Sequence, residues 1–345
     1  MRRPIGVGEQ AGHMARAHME HALTEPGTEA PPEPEGTSVE VSHQVVGRSP
    51  WELFWRRFRR DRFAVGGAFV VILMFLVAIL APVIAGFTHG PNEVFLDRLD
   101  SFGIPTGPQS GFYFGVDTAG RDLFVRVLYG ARTSLFIAFF ATGIATVIGV
   151  TLGMLAGFFR GKTDTVISRT IDIVLSLPVL LLALGLVSAC GLEKNGCLGG
   201  IIKPGLMLVA YVIGLFSWPY IARIVRGQVL SLREKEFIES ARSLGSSNTR
   251  IMFREVLPNV AAPIIVYTTL IIPNNILFEA ALSFLGIGVP QETPSWGREL
   301  SDAGTIFTVA WWMMLFPGLF LFFTVLAFNL VGDGLRDALD PRTGG

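Results

Sequence analysis

The chain has 345 residues, of which half are hydrophobic and 16% are charged, and its formal net charge is zero. A soluble domain of this size needs more charge to cover its surface. A neutral chain also lacks the overall basic field of a nucleic-acid-binding protein. The composition therefore argues against a soluble enzyme and against nucleic acid as a partner, and it favours a protein embedded in a lipid bilayer.

Residues 1–50 are rich in Glu, Pro, Gly and His and contain few large apolar side chains. Such a segment cannot bury enough surface to offset the entropy of ordering it, so we expect a disordered cytoplasmic tail. Four histidines in it would allow a metal-binding tract, but a solvated tail is the simpler interpretation. Arg2 and Arg3 resemble a twin-arginine start, yet no apolar run or cleavage site follows within thirty residues, which predicts no cleaved signal peptide.

Six apolar runs follow, each long enough to cross a bilayer as a helix of about 20 residues. The runs are 63–87, 135–159, 173–192, 204–222, 260–278 and 303–332. They carry no polar stripe such as a long buried soluble helix would show. The sequence therefore predicts an all-α polytopic membrane protein with six transmembrane helices. Its expected parts are the tail (1–50), an amphipathic segment with the first span and an outer loop (51–134), a core that holds the other five spans (135–335) and a short C-terminus (336–345).

Basic residues predict the orientation, because loops rich in Arg and Lys stay in the cytoplasm. Five arginines lie within 56–62, just before the first span, and seven Arg or Lys residues lie within 223–258. The loops 191–203 and 286–302, which are expected outside, hold only three Arg or Lys residues between them. The 88–134 loop is also expected outside, and its Arg121, Arg126 and Arg132 are an exception to the rule. The balance predicts that both termini lie in the cytoplasm.

A charged segment, 236–258, lies between the fourth and fifth spans. Its apolar residues recur at i, i+4 and i+7 and predict one face of a short helix: Phe237, Ala241 and Leu244. Gly245 stands where a helix end favours a left-handed residue, and residues 246–248 supply caps for a second helix that we expect Pro258 to end. Charge beside exposed apolar residues fits either a helix among lipid headgroups or a docking element for a soluble partner.

The pattern Glu239-x-Ala241-x-x-x-Gly245, followed by Leu257-Pro258, resembles the cytoplasmic coupling loop of ABC importer permeases. In that family the short helix before the glycine inserts into a cleft of an ATP-hydrolysing subunit. The resemblance implies that Glu239 and Ala241 seat the helix and that Gly245 permits its sharp turn, while Ser240 replaces a usual Ala by another small residue. The ATPase-coupling residues that it implies are Phe237, Glu239, Ser240, Ala241, Leu244, Gly245, Leu257 and Pro258.

Further stretches resemble the C-type permease of the dipeptide/oligopeptide/nickel class, including Phe114-Gly115-Val116-Asp117, Pro294-Ser295-Trp296-Gly297 and Asp340-Pro341. The resemblance covers residues 51–341 and implies a subunit that imports peptides, with nickel, glutathione or haem as alternatives. It implies four kinds of partner: a second, homologous permease chain, two ATPase subunits, an external or periplasmic substrate-binding protein, and the lipid bilayer. ATP and Mg would then be held by the ATPase subunits, with no cofactor in this chain.

No catalytic constellation is visible, and no Gly-rich loop ends in Gly-Lys-Ser/Thr, so we expect no ATPase activity from this chain. A secondary transporter would usually show ionisable residues at mid-membrane and inverted repeats, and neither is evident. An enzyme embedded in the membrane would need histidine or paired carboxylates within the spans. His89, the one histidine outside the tail, lies in a loop.

Small and charged residues in the spans allow several interpretations. Gly149, Gly153 and Gly157 recur every four residues and permit close helix contact, either as part of a gate or permease–permease contact or as packing within the chain. Arg169 and Asp172 lie three apart and predict a structural ion pair on one helix.

Four groups of residues are expected at the outer side. Glu279 either lines an outward cavity or bonds an amide of the Gly286–Gly288 turn. Asp117, Arg121 and Asp122 are expected to brace the outer loop, and Trp296, Trp311 and Trp312 to anchor at the membrane interface. Cys190 and Cys197 flank a short loop in which either a disulfide or two free thiols are chemically reasonable.

Overall fold

The computed structural model describes residues 50–192 and 203–339. Its helices are α1 (Pro50–Arg60), α2 (Arg62–Phe87), α3 (Leu123–Phe159), α4 (Gly161–Ser176), α5 (Val179–Leu192), α6 (Leu206–Leu232), α7 (Glu236–Ser243), α8 (Asn248–Ile251), α9 (Leu257–Phe284), α10 (Trp296–Ala303) and α11 (Trp312–Leu339). A π turn, Met252–Val256, joins α8 to α9. Isolated β-bridges, such as that between Val94 and Arg121, tie the loop that connects α2 to α3.

Five stretches are long and apolar enough to cross a membrane: α2, α3, α6, the run from α8 to α9, and α11. A sixth candidate is the pair α4 and α5, which bends by 86° at its break. The predicted all-α architecture is thus confirmed, with the third span broken. The break is at Leu177, whose ψ of 145° is extended. Pro178 follows, and a proline disfavours the helical conformation in the residue before it, so the expected continuous run 173–192 is wrong.

Short polar side chains cap the starts of several of the described helices, among them α2, α3 and α10. The Asp61 carboxylate accepts the backbone N–H groups of Phe63 and Ala64, at 2.9 and 3.2 Å, at the start of α2. Asp122 accepts the N–H of Phe124 at the start of α3, and Ser295 plays the same part in α10. Each satisfies an N–H group that has no partner within its own helix. The cap at Asp122 places the start of α3 twelve residues before the predicted apolar run.

The helix after α7 also differs from the prediction. Ser247 caps α8, but Pro258 does not end the helix and lies in the first turn of α9. In the π turn the N–H of Leu257 bonds the carbonyl of Met252, five residues back. Since Pro258 has no N–H to donate, this shift of register lets the chain remain helical through the proline.

Three glycines of α3, Gly149, Gly153 and Gly157, pack against α6. A Cβ added at Gly153 would lie 2.6 Å from the carbonyl oxygen of Ala222, and one at Gly149 or Gly157 would lie 2.7 Å from a side chain of α6. The glycines therefore let two spans of the same chain approach closely. The contacts agree with the packing interpretation, and a role of these glycines in a gate or in a contact between permease chains stays a prediction.

Candidate functional site

α7 ends in a turn that requires glycine. The N–H of Gly245 bonds the carbonyl of Arg242 at 2.9 Å, and the N–H of Ser246 bonds that of Ala241 at 3.1 Å, which is the Schellman pattern. The φ of Gly245 is +76°, while a Cβ there would meet nothing within 4 Å. Backbone conformation, and not lack of space, therefore selects glycine at this position.

α7 has two apolar sides. Ile238 is fully buried and Ala241 packs against the same core cluster, whereas Phe237 is 40% and Leu244 is 86% exposed. The predicted single face is thus divided, and Ile238, three residues before Ala241, is the anchor that the i, i+4, i+7 pattern missed. Glu239 lines a pocket of about 470 Å³ beside the helix. α7 is fixed from behind and presents large apolar side chains outward among charges.

The segment before α7 contacts the corner between α3 and α4, at Phe158 and Arg160. The Arg233 guanidinium donates to the carbonyl of Phe158, and Arg160 pairs with Glu234. From α7 itself, the guanidinium of Arg242 lies 5.6 Å from the centre of the Phe158 ring, a favourable cation–π distance. α7 and the segment before it are therefore in direct contact with this corner.

The corner itself is strained. Arg160 has φ 55° and ψ −162°, a region that is essentially restricted to glycine and costs about 1–3 kcal/mol for other residues. Among the described residues it is the one non-glycine residue with a positive φ. Arg233 bonds the main chain two residues before this strained residue, and Glu234 pairs with the side chain of Arg160 itself.

Two ion pairs fix α4 to α6. Arg226 bonds both carboxylate oxygens of Asp164, with 2.8 Å between Nη2 and Oδ2, and Arg223 bonds Asp172 at 2.9 Å. The expected pair of Asp172 with Arg169 is not formed, because α6 brings Arg223 across the helix interface to the carboxylate. These contacts tie the first half of the broken span to the helix that leads into α7.

A buried polar cluster lies at the other end of α3. The Arg126 side chain is fully buried, and its Nε donates to the Oε1 of Glu299 at 2.9 Å. Asp117 accepts from the Nε of Arg121 at 2.6 Å, and its Oδ2 lies 3.4 Å from the Nε of Arg126. Arg126 also bonds the carbonyl of Pro91. This set, Asp117, Arg121, Arg126 and Glu299, is called here the α10 polar cluster, and it braces the long loop as expected of Asp117 and Arg121.

Glu279 is also enclosed. It is fully buried and accepts hydroxyl groups from Ser134 and Ser283, each at 2.8 Å. The Ser283 oxygen in turn accepts the N–H of Val289, just after the Gly286–Gly288 turn. Of the two expected roles, the structure therefore shows the link to the turn, made through Ser283, and the role in an outward cavity stays a prediction.

The remaining predicted sites concern cysteine, tryptophan and metals. Cys190 is buried and disulfide-bonded, and Cys197 lies outside the described residues. Trp296 and Trp312 are buried, and their indole N–H groups donate to main-chain carbonyls, so they are not anchors at the interface. Within 50–192 and 203–339, no group of three His, Cys, Asp or Glu residues is placed to hold a metal ion.

The fold and the site define a class of protein: a polytopic helical membrane protein with a short anchored helix exposed between two spans. Residues 149–345 match the model of the binding-protein-dependent transport system inner membrane component. The chain belongs to this family of importer permeases. Residues 49–100 match the N-terminal transmembrane domain of oligopeptide transport permease C.

Curated relatives resemble nearly the whole chain. The dipeptide transport system permease protein DppC of Alkalihalophilus pseudofirmus is 39% identical over 309 residues, 90% of this chain and 95% of the relative. The glutathione transport system permease protein GsiD is 40% identical in Pectobacterium atrosepticum and 43% identical in Escherichia coli, in each case over 86% of this chain and 92% of the relative.

The fold resembles that of a solved transporter. A chain of the MetNI methionine ABC transporter, solved in inward facing conformations, aligns with a TM-score of 0.51 and 20% identity. The alignment covers 63% of this chain and 96% of that chain. At this identity the likeness supports the fold alone.

Proposed function

We propose that this chain forms, with a second permease chain, the path by which an ATP-driven importer takes up short peptides. It lies in a bacterial plasma membrane with both termini in the cytoplasm, as the distribution of basic residues indicates. Two ATPase chains hold the ATP and Mg, and an external binding protein delivers the solute. The observation that carries the proposal is α7, which keeps Phe237 and Leu244 exposed although it is anchored between two spans.

α7 is suited to convert movement of an ATPase into movement of the spans. An exposed apolar pair beside charged residues is the kind of surface that a partner's cleft binds. Arg233, Glu234 and Arg242 then pass the displacement to the corner at Phe158 and Arg160. The ATPases change the balance between inward-facing and outward-facing states only through different affinities for the two.

The break in the third span supports a path beside it. Helix ends leave main-chain N–H and C=O groups without partners, and lipid offers none. Leu177 is exposed and so is Pro178. Irregular backbone at membrane depth is tolerated where protein covers it or where it lines a water-filled cavity. The break therefore belongs at the second permease chain or at the solute path, and not against acyl chains.

The peptide assignment draws on the relatives. One is named a dipeptide permease and others glutathione permeases. Glutathione is itself a tripeptide, so both names describe short solutes with amide and carboxylate groups. Glutathione is accordingly the second candidate substrate.

The test is reconstitution with the second permease, the ATPases and the binding protein encoded in neighbouring reading frames. We expect the ATPase chains to co-purify and labelled dipeptide to be taken up with ATP, and competition by unlabelled glutathione ranks the two substrates. Leu244→Asp should abolish both co-purification and uptake. Phe102→Asp is the matched control, since Phe102 is equally exposed in the loop between α2 and α3. The proposal is contradicted if Leu244→Asp co-purifies with the ATPase chains and takes up dipeptide as the wild type does, or if no ATPase chain co-purifies with the wild type.

A further inference from the structure

α1 is held firmly against the rest of the chain by one side. Phe58 is buried there in a small apolar cluster with Ala64 of α2 and Ala338 of α11. The fit is close, because a Cβ added at Gly334 would lie 2.2 Å from the Cβ of Ala64 and 3.4 Å from the Phe58 ring. The orientation of α1 about its own axis is therefore fixed, and so is the side that it turns outward.

The outward side of α1 combines cations with large apolar groups. Arg56, Arg59 and Arg60 are exposed there beside Leu53 and Trp55, and Trp55 is 51% exposed. The guanidinium of Arg59 lies 5.6 Å from the centre of the Trp55 ring. Throughout the part of the chain that the structure describes, none of these three arginines has a carboxylate partner. The surface therefore offers three positive charges outside any ion pair of the described residues, beside the exposed carboxylate of Glu52, together with an amphipathic ring.

The position of α1 places this side at the bilayer surface. α1 passes through Asp61, whose carboxylate is used in capping, directly into the first span, α2. Phe63, in the first turn of that span, is 76% exposed. The outward side of α1 thus lies where acyl chains give way to headgroups, the depth that Trp and Arg side chains prefer.

We propose that the outward side of α1 binds anionic phospholipid. Arg56, Arg59 and Arg60 pair with headgroup phosphates, and Leu53 and Trp55 enter the apolar layer beneath them. An acidic protein would match the charge but would leave exposed apolar residues at the start of a span uncovered, whereas a lipid surface satisfies both. This inference does not depend on the transported solute or on an ATPase partner.

The experiment titrates the purified full chain in mild detergent with phosphatidylglycerol and, separately, with phosphatidylcholine, and counts bound lipids by native mass spectrometry. Each arginine near an anionic surface raises affinity on the order of fivefold. We therefore expect the wild type to prefer phosphatidylglycerol by at least tenfold, and salt to reduce the preference. Arg56→Gln/Arg59→Gln/Arg60→Gln should lose it, and Trp55→Ser should weaken the binding of both lipids.

The control variant is Lys162→Gln/Arg169→Gln/Arg254→Gln, which removes three exposed positive charges elsewhere. It should keep the preference of the wild type. An equal loss in the control variant, or a preference retained after the α1 substitutions, overturns the proposal. The proposal is also overturned if a chain with the α1 substitutions binds both lipids as the wild type does but no longer binds an ATPase chain, because the surface would then be a docking site for a protein. An unchanged unfolding temperature verifies that the exposed α1 substitutions leave the fold intact.

Discussion

Two glycines on α3 allow a matched test of how the spans pack. Gly153 faces α6, where an added Cβ would lie 2.6 Å from the Ala222 carbonyl oxygen and 2.9 Å from the Cβ of Val225. Gly143, ten residues earlier on the same helix, is exposed, and a Cβ there would meet nothing within 4 Å. The same substitution to alanine therefore removes the same backbone freedom at both positions and adds a steric conflict at one.

The magnitude follows from these distances. To reach an ordinary contact of about 3.4 Å, Gly153→Ala must move α6 away by roughly 0.8 Å. Overpacking of this kind costs about 1–3 kcal/mol, while replacing glycine in a helix gains about 0.5–1 kcal/mol. Gly143→Ala should thus be neutral or stabilising by up to about 1 kcal/mol. Gly153→Ala should be less stable than Gly143→Ala by about 1–3 kcal/mol.

The assay is unfolding of the purified chain in detergent, followed by heat and by denaturant. Gly153→Ala should unfold at a lower temperature than the wild type and Gly143→Ala should not. Equal shifts for both variants would refute the packing argument. If Gly153→Ala kept its stability but lost a second permease chain, the glycine would instead belong to a contact between chains.

Four further predictions concern α7, the corner and the α10 polar cluster. Gly245→Val should abolish ATP-driven uptake without reducing membrane insertion, since a left-handed β-branched residue costs about 1–2 kcal/mol or more, whereas Gly245→Asn should transport. Arg160→Gly should unfold at a higher temperature than Arg160→Ala, because only glycine relieves the strained backbone. Arg126→Met should cost about 3–5 kcal/mol in denaturant unfolding by leaving Glu299 buried without its cation. Burial raises the pKa of Glu299, although Arg126 opposes the shift. The proton that the folded chain holds on Glu299 therefore stabilises the fold in acid, and this stabilisation is lost as the pH rises through the raised pKa. Glu299→Gln should flatten the resulting decline of the unfolding temperature with pH.

Local chemistry predicted much of this structure. Apolar length gave the spans, because a bilayer requires it, and the left-handed turn at Gly245 followed from its position after a helical pattern. The break at Leu177 had a local signal too, in the proline that follows it. The apolar run hid this signal, since hydropathy does not distinguish one bent span from a straight one.

Contacts between distant segments were not predictable. Asp172 has Arg169 one turn away, but its partner is Arg223, which only the packing of α6 brings near. Trp296 resembles an interfacial anchor by composition, yet its indole bonds the carbonyl of Val127 in the core. Ile238 can be recognised as the buried anchor of α7 only when the side of the helix that faces the core is known. In each case the deciding partner is on another helix.

The two ends of α3 differ in how readily their polar contacts rearrange. At the start of α3, Arg126 and Glu299 are both fully buried, and separating such a pair is expensive because a buried charge is left without compensation. Near the end of α3, Arg223 and Asp172 are each more than half exposed, and the pair of Arg160 with Glu234 is similarly open. Exposed pairs are worth about 1 kcal/mol or less, so they exchange partners at little cost. If α7 is displaced as proposed, we therefore expect the exposed pairs at the α4 end to rearrange before the buried α10 polar cluster does.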